Sequence, residues 1–369
     1  MKKICILGIT GSIGSQAVDV INSLDGYIVE SASCNTSYEK LDKYISDLNL
    51  KSVWVKEKSF LENKYPNVKF YYDVDNFIKN SEADAVINAL VGVAGLSASI
   101  ATIKTKKELL LANKESLVLA GDIINKLLKE NNVRMLPIDS EHSAIFQCLD
   151  GKDKNQVSEL IITASGGALR DLDRSALKGV KINDVLNHPT WKMGGKITVD
   201  CATMVNKGFE VIEAHHLFGF DYDHIKTVLH QESAVHGAIK FKDGSVICQM
   251  GVTSMMLPIQ YALTYPERVT CNLSKNFDLT DTFNLHFRKM DYNRYPMLEL
   301  AYKVARMGGI MPAVYCAAND LAVNKFLKGE IEFLEIENII NSYVNLYLDK
   351  NIQSPSIEDI YKVIDEISK

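Results

Sequence analysis

The 369-residue sequence lacks paired cysteines, a long apolar run and an excess of basic charge. Its seven cysteines (5, 34, 148, 201, 248, 271 and 316) are scattered, and none falls in a C-x-x-C pair. That excludes a zinc knuckle and a disulfide framework, and a reduced, cytoplasmic chain is expected. The most apolar stretch, residues 83–100, is interrupted by Asp84, Asn88 and two glycines, so no membrane span is expected. The opening Met1-Lys2-Lys3 and its apolar sequel imitate a signal peptide, but Gly8, Gly11 and Gly14 break that region and a first strand fits better. Lys+Arg number 41 against 46 Asp+Glu, a net charge of −5, which disfavours coating of nucleic acid or anionic lipid. Neither partner is expected. A local anion site stays open, because a few well-placed donors suffice. There is no internal repeat and no low-complexity tract.

What is present is ordinary globular material, 47% apolar and 24% charged. At ~150 residues per domain the length predicts two or three units. Residues 3–7, 27–33, 52–55, 85–90, 108–112 and 134–138 read as strands, with helical patterns clearest at 15–24 and 117–131. Such alternation predicts an α/β fold with an N-terminal Rossmann-like parallel sheet, whose ligands bind beyond the carboxyl ends of the strands. Those ends carry Gly8–Gly14, Asn35, Gly92–Gly95, Asn113-Lys114-Glu115 and Asp139-Ser140-Glu141. A strand at 157–164 leads into residues 165–195, opened by Gly166-Gly167, closed by Gly194-Gly195 and holding His188-Pro189 and Trp191. Paired glycines at both ends predict a mobile lid; the alternative is a plain surface excursion with a short helix around Leu172–Lys178. A strand is expected at 197–199 and a helix at 202–218. Further strands at 227–229 and 245–249 flank residues 231–243. Residues 271–287 look irregular. From Tyr295 onward the pattern is helical, clearest at 298–307 and 338–348.

Gly8, Gly11 and Gly14 follow a strand and precede a helix, which suits a dinucleotide pyrophosphate at a helix N-terminus. At the tip of the second strand, Ser33-Cys34-Asn35 offers no carboxylate to repel a 2′-phosphate, so NADPH is allowed; Lys40 and Lys43 are the candidate cations. Asp139 and Glu141 on an extended segment would face the same side and need a cation such as Mg²⁺ or Mn²⁺ between them. The competing interpretation is a helix N-cap at Asp139 or Ser140 with acids in the first turn, and local sequence leaves both open. Asn206, Lys207 and Glu210 share a helix face that can hold a phosphate and a metal, or form an ordinary surface ion pair. Glu213-x-x-His216 has di-iron spacing but lacks the second copy such a site needs. Lys114, His188, His230 and His236 are each open to a binding or a structural role.

Taken together these segments resemble the 1-deoxy-D-xylulose 5-phosphate reductoisomerase family. The resemblance runs through Gly8–Gly14, Leu111-Ala-Asn-Lys-Glu115, Asp139-Ser-Glu141, Thr163-Ala-Ser-Gly-Gly167, His188-Pro-Thr-Trp191, Met193-Gly194 and residues 200–210. It continues through residues 255–266 and Cys316-Ala-Ala-Asn-Asp320, so it covers nearly the whole chain in order. It implies NADPH- and divalent-metal-dependent rearrangement and reduction of 1-deoxy-D-xylulose 5-phosphate to 2-C-methyl-D-erythritol 4-phosphate, in non-mevalonate isoprenoid precursor synthesis. By matching position it implies Asp139, Glu141 and Glu210 as metal ligands (Mg²⁺ or Mn²⁺). Lys114, Ser140 and Glu141 would contact the substrate's oxygenated carbons. Ser165, His188, Asn206 and Lys207 would hold its phosphate, and Trp191 would be the lid's aromatic cover. Thr10, Gly11, Ser12, Ile13, Asn35, Asn113, Glu115 and Gly194 would serve NADPH. It also implies a homodimer, with a nucleotide domain (1–139), an α+β catalytic domain (140–270, lid 165–195), a linker (271–291) and a small helical C-terminal domain (292–369).

The sequence departs from the family pattern in places. Cys201 stands where a phosphate-touching serine is common, and a thiol is the weaker donor. Cys34 stands where a basic residue often lies near the 2′-phosphate. Gly195 replaces a frequent arginine, and Gln231-Glu232 replaces Pro-Gln. No metal ligand is lost, so activity is expected with some retuning. The alternatives are a Rossmann-type dehydrogenase of another phosphorylated sugar or semialdehyde without rearrangement, distinguished by an unbranched product, and a non-catalytic nucleotide sensor.

Overall fold

In the computed structural model, which describes residues 1–191, 193–275, 277–280 and 283–369, the alternating N-terminal pattern folds as strand and helix in turn. Residue 192 of the predicted lid and residues 276, 281 and 282 of the predicted linker lie outside the described residues. The elements run β1 (Lys2–Leu7), α1 (Ser12–Asn22), β2 (Tyr27–Cys34), α2 (Tyr38–Leu48), β3 (Ser52–Val55), α3 (Leu61–Lys64) and β4 (Lys69–Tyr71). Then come α4 (Val74–Asn80), β5 (Ala85–Asn88), α5 (Ala94–Lys104), β6 (Glu108–Leu111), α6 (Glu115–Asn131) and β7 (Met135–Pro137). All seven strands pair in parallel, in the order β4-β3-β2-β1-β5-β6-β7. Strand order reverses between β1 and β5, so the crevice beyond their carboxyl ends is the place where such a sheet takes a ligand. The central strands read as continuous apolar runs because helices cover both faces. Cys5, Leu7 and Val86 pack with Phe77 and Ile78 of α4 and Ala98 of α5.

The chain continues with α7 (Ser140–Leu149), β8 (Val157–Ala164), α8 (Ile182–Leu186), α9 (Gly195–Thr203), α10 (Val205–Phe218), β9 (Ile225–Leu229), β10 (Val235–Phe241) and β11 (Val246–Met250). Helix α11 (Met256–Thr264) belongs with the first sheet, where Lys2 Nζ and Tyr27 Oη both donate to the Leu263 carbonyl. After it come β12 (Arg288–Lys289), α12 (Pro296–Met307), α13 (Met311–Leu327), α14 (Glu335–Tyr347) and α15 (Ile357–Ile367). The second sheet is mixed, in the order β11-β10-β8-β9-β12, with only β8 and β9 parallel. Leu160 and Ile162 of β8 share one core with Val211 and Ala214 of α10 and Leu298 and Tyr302 of α12. Contacts divide the chain into two units. One is Met1–Ser116 with Asp122–Ser143 and Ser254–Lys275. The other is Leu117–Gly121 with Ala144–Thr253 and Asn276–Lys369.

Two sequence expectations are corrected. The strand expected at 197–199 is helical and lies inside α9. The β-branched run Ile197-Thr198-Val199 favours a strand locally. Tertiary contacts override it: Thr198 Oγ1 donates to Gly194 O at 2.8 Å, Lys196 pairs with Asp200 one turn on, and Val199 and Ala202 are buried. Met204, at φ +65°, then breaks the chain, so the following helix starts at Val205 rather than 202. Residues 231–243, passed over between two expected strands, contain β10, whose first five residues are all buried. A strand covered on both faces does not alternate, and Gly237 further weakens its signal. The short helix expected near 172–178 is a 3₁₀ turn at Arg174–Leu177.

Candidate active site

In the first unit, the turn after β1 leaves no room for side chains. Gly8 has φ +82°, and a Cβ there would lie 2.8 Å from the Ala89 carbonyl oxygen. A Cβ on Gly14 would lie 2.2 Å from Gly8 O. Thr10, Gly11, Ser12 and Ile13 form the tip of this turn, and α1 starts after Gly11 without a side-chain cap. Its first-turn N–H groups therefore face outward as donors for a phosphate. Thr10 Oγ1 contacts Cys34 Sγ at 3.7 Å, which brings the turn to the tip of β2 just before Asn35.

The turn after β6 is held by a buried polar network. Asn113 Nδ2 donates to Leu90 O, Gly92 O and Glu115, and its Oδ1 accepts from the backbone and hydroxyl of Ser116. A Cβ on Gly95 would strike the Asn113 amide at 2.2 Å. Asn113 and Glu115 are thus fixed in place at the edge of the crevice. The next residue, Lys114, pairs with Asp139 at 2.9 Å, and both are largely buried. Asp139 lies just before α7, where its Oδ1 accepts from Glu141 N at 3.2 Å and contacts His142 Nδ1 at 3.0 Å. The segment is therefore a helix cap and first turn, not the extended strand that the i, i+2 argument assumed. Burial disfavours the charged form of Asp139, yet Lys114 and His142 outweigh it and hold the carboxyl well below the usual carboxylate range. Glu141 accepts from Ser140 Oγ at 2.5 Å.

The second unit collects the phosphate-type donors. Backbone N–H groups of Thr190 and Trp191 donate to His188 Nδ1, the latter at 3.0 Å. Nδ1 is therefore the acceptor, and Nε2 carries the proton, which it directs at Ser165 Oγ 3.2 Å away. Burial, and secondarily the charge of Arg170, push the His188 pKa down to about 4, so the ring is neutral at pH 7. Gly167, at φ +73°, lets the Ser165 loop lie against α9: a Cβ there would be 2.7 Å from both Cys201 O and Ala202 Cα. On α10, Asn206 Nδ2 donates to Glu210 Oε1 at 2.6 Å, and Lys207 forms a short pair with the other oxygen of Glu210. Lys207 and Glu210 are buried, so this is not a solvated surface pair. Trp191 lies with its ring 6.2 Å from His236, and Gly194 caps α9.

Several residues take roles that the sequence left open or did not assign. His142 braces Asp139, a partnership visible only as the spacing of three residues at a helix start. Asp200 accepts from Lys196 at 2.9 Å and from Asn319 of α13 at 2.8 Å, tying the helix that carries Cys201 to the C-terminal helices. His230 is structural: Nδ1 meets His286 O, and Nε2 accepts from Ala234 N and Val235 N. The Glu232 carboxylate lies 2.5 Å from His286 Nδ1 and 3.2 Å from His230 Nδ1. His215 is a helix-end residue, with Nδ1 at 2.7 Å from Phe220 O.

The residues fit the groups that the sequence implies. The side-chain-free turn at Gly8 and Gly14 admits a dinucleotide's pyrophosphate, and Asp139, Glu141 and Glu210 are hard oxygen donors of the kind Mg²⁺ and Mn²⁺ take. Among the described residues no helix is long and apolar enough to cross a membrane.

Family models match along the chain: 1-deoxy-D-xylulose 5-phosphate reductoisomerase over residues 4–121, its C-terminal domain over 135–218, and the DXP reductoisomerase C-terminal domain over 250–369. The chain is 42% identical to the 1-deoxy-D-xylulose 5-phosphate reductoisomerase of Listeria welshimeri, over 99% of this chain and 98% of the relative. It is 44% identical to that of Shouchella clausii, over 100% and 99%. A crystal structure of DOX-P reductoisomerase in complex with NADPH, fosmidomycin and magnesium superposes with a TM-score of 0.92 at 31% identity, covering 100% of this chain and 97% of that one. The Zymomonas mobilis enzyme in complex with NADPH gives 0.90 at 34% identity, with the same coverage.

Proposed function

This chain belongs to the 1-deoxy-D-xylulose 5-phosphate reductoisomerase family, and from that premise we infer how its own residues divide the work. The reaction is the NADPH- and divalent-metal-dependent conversion of 1-deoxy-D-xylulose 5-phosphate to 2-C-methyl-D-erythritol 4-phosphate, in isoprenoid precursor synthesis. Family membership favours this over a dehydrogenase without rearrangement.

The observation that carries the assignment of residues is the pairing of two of the three key carboxylates with a lysine each, Lys114 with Asp139 and Lys207 with Glu210. Each ammonium offsets the buried charge of its carboxylate, and these two carboxylates are the metal ligands together with Glu141. The metal, when bound, supplies Lewis-acid stabilisation of developing negative charge on substrate oxygen. Lys114, Ser140 and Glu141 orient the oxygenated carbons. Neutral His188 donates from Nε2, with Ser165, Asn206 and Lys207, to the phosphate, and Cys201 lines the same subsite. Binding energy from that remote phosphate orders the reacting end and brings Trp191 over it, excluding water. Thr10, Gly11, Ser12 and Ile13 receive the pyrophosphate of NADPH, with Asn35, Asn113, Glu115 and Gly194 around the rest of the cofactor. We also propose a cytoplasmic homodimer, and a division into nucleotide domain, catalytic domain with lid, linker and helical C-terminal domain near the boundaries read from sequence, with α11 counted with the nucleotide domain whose unit it shares.

The test is a matrix of NADPH or NADH with Mg²⁺, Mn²⁺ or chelator, using the deoxyxylulose phosphate. Turnover is expected only with a divalent ion, and NMR of the product should show a branched carbon skeleton. An unbranched product, or full turnover in chelator, contradicts the proposal. Light scattering should give a particle of twice the chain mass.

A further inference from the structure

A cavity of about 510 Å³ in the second unit lies between the base of the 165–195 segment, the end of β9, β12 and the start of α12. Of its lining residues, the reaction as described uses Ser165 alone. Five cations line it: Arg170, Arg174, Arg288, Lys289 and Arg294. Glu337 neutralises Arg174 through a two-pronged pair. Arg170 and Arg294 are half-buried; Asp171 lies 3.8 Å from Arg170, and the hydrogen bonds of both guanidiniums go to carbonyls. Arg294 donates to Leu169 O and Leu172 O, and Arg170 to Ser165 O and Gln231 O. Carbonyls satisfy hydrogen bonds but cancel no charge. Arg170 Nε is buried and has no hydrogen-bond partner among the described residues, the Asp171 carboxylate standing off at 3.8 Å. Burial pulls the Arg294 pKa below its ordinary value, and the charge of Arg174 adds to the effect. Arg288 and Lys289 are exposed on β12.

The lining acids do not offset this. Asp171, Asp173 and Asp291 are all exposed. The Asp171 side chain is 78% exposed against 17% for Arg170, so water screens the acid more than the base. Asp291 spends Oδ1 on the backbone N–H groups of Asn293 and Arg294. The volume is that of a small-molecule site. Planar guanidiniums with spare donors are suited to phosphate oxygens.

We propose that this cavity is a second anion site, which takes a small diphosphate-class molecule and is separate from the sugar-phosphate subsite around Lys207. The two share the Ser165–Gly166 backbone: Arg170 holds the Ser165 carbonyl, Tyr295 Oη donates to the Gly166 carbonyl, and the Ser165 hydroxyl points the other way, to His188. An anion here draws on Arg170 and therefore shifts the position of Ser165. Occupancy changes the KM for the sugar phosphate more than kcat.

The test uses the full-length protein in chelator, titrated with inorganic pyrophosphate by calorimetry, with sulfate at equal ionic strength as control. Saturable pyrophosphate binding that persists under saturating 2-C-methyl-D-erythritol 4-phosphate is expected. In the Arg288→Ala/Lys289→Ala double variant it should weaken at least about tenfold, because two charge-assisted contacts are lost, while turnover without pyrophosphate stays normal. If circular dichroism shows the double variant unfolded, Lys289→Gln alone carries the same comparison with a smaller loss. Complete displacement by the sugar phosphate, equal binding of sulfate, undiminished affinity in the variants, or no binding at millimolar pyrophosphate each overturns the proposal.

Discussion

The two binding regions are built from opposite materials. The turn after β1 works by the absence of side chains, since Gly8 and Gly14 let backbone meet backbone at distances no Cβ tolerates. The phosphate-type region of the second unit works by side chains that are charged or tautomer-fixed: Lys207, Asn206, Glu210, His188 and Ser165. The first suits a ligand whose phosphates are the same in every cofactor molecule, and sterics alone define it. The second must balance buried charge, so its energetics depend on pairs. Damage to the first should therefore be steric, and damage to the second electrostatic.

The largest effect is expected from Glu210→Gln, which keeps shape and removes charge. Turnover should fall on the order of 10³-fold, as when other preorganised electrostatic groups are removed; the melting transition should also fall, because Lys207 is left buried without its carboxylate, with circular dichroism showing the variant folded at the assay temperature. Normal turnover in this variant would remove Glu210 from the metal site. Next comes Lys207→Ala, which leaves Glu210 buried without its ammonium. A loss of about 3–5 kcal/mol in urea unfolding is expected, partly regained when Mg²⁺ is added. A loss that Mg²⁺ leaves untouched would mean the carboxylate does not take the ion.

Gly14→Ala tests the other region. Overpacking should cost about 1–3 kcal/mol and abolish NADPH binding in a fluorescence titration, while the sugar phosphate still binds. Retained cofactor affinity would show that the turn can yield. A smaller effect concerns His188. Its folded pKa of about 4 lies below the unfolded value of roughly 6.5, so the unfolded chain takes up the proton first. The stability that neutral His188 contributes is full above about pH 6.5 and declines as pH falls toward 4. Wild type should therefore lose its advantage over His188→Gln between urea titrations at pH 7 and pH 5. The smallest effect is Cys201→Ser, where the stronger hydroxyl donor should lower the KM for the sugar phosphate a few-fold, about 0.5–1 kcal/mol. An unchanged KM would separate this side chain from the phosphate.

The same contrast governs how much was legible in the sequence. Six of the seven strands of the first sheet were legible, because buried parallel strands alternate with amphipathic helices and the glycine spacing sits between a strand and a helix; β4, three partly exposed residues at the sheet edge, was not. In the second unit local cues misled. Ile197-Thr198-Val199 has strand chemistry, but Lys196–Asp200 and burial against α13 make it helix. β10 went unseen because it is central and covered. In the first unit, of the two readings left open for Asp139 and Glu141 the helix cap is the one found: Asp139 caps the helix that carries Glu141. Both site helices were found, yet the bracing by His142 and Asn319 was not, since only three-dimensional neighbours reveal it.

The Asn113 network has a kinetic corollary. Its amide reaches Leu90 and Gly92 after β5, Glu115 and Ser116 in its own turn, and presses on Gly95 at the start of α5. The rim of the crevice is thus assembled before any ligand arrives, and little chain entropy remains to be lost on docking. NADPH should enter in a single concentration-dependent phase, without a slow isomerisation following the encounter, whatever the pace of the segment that carries Trp191.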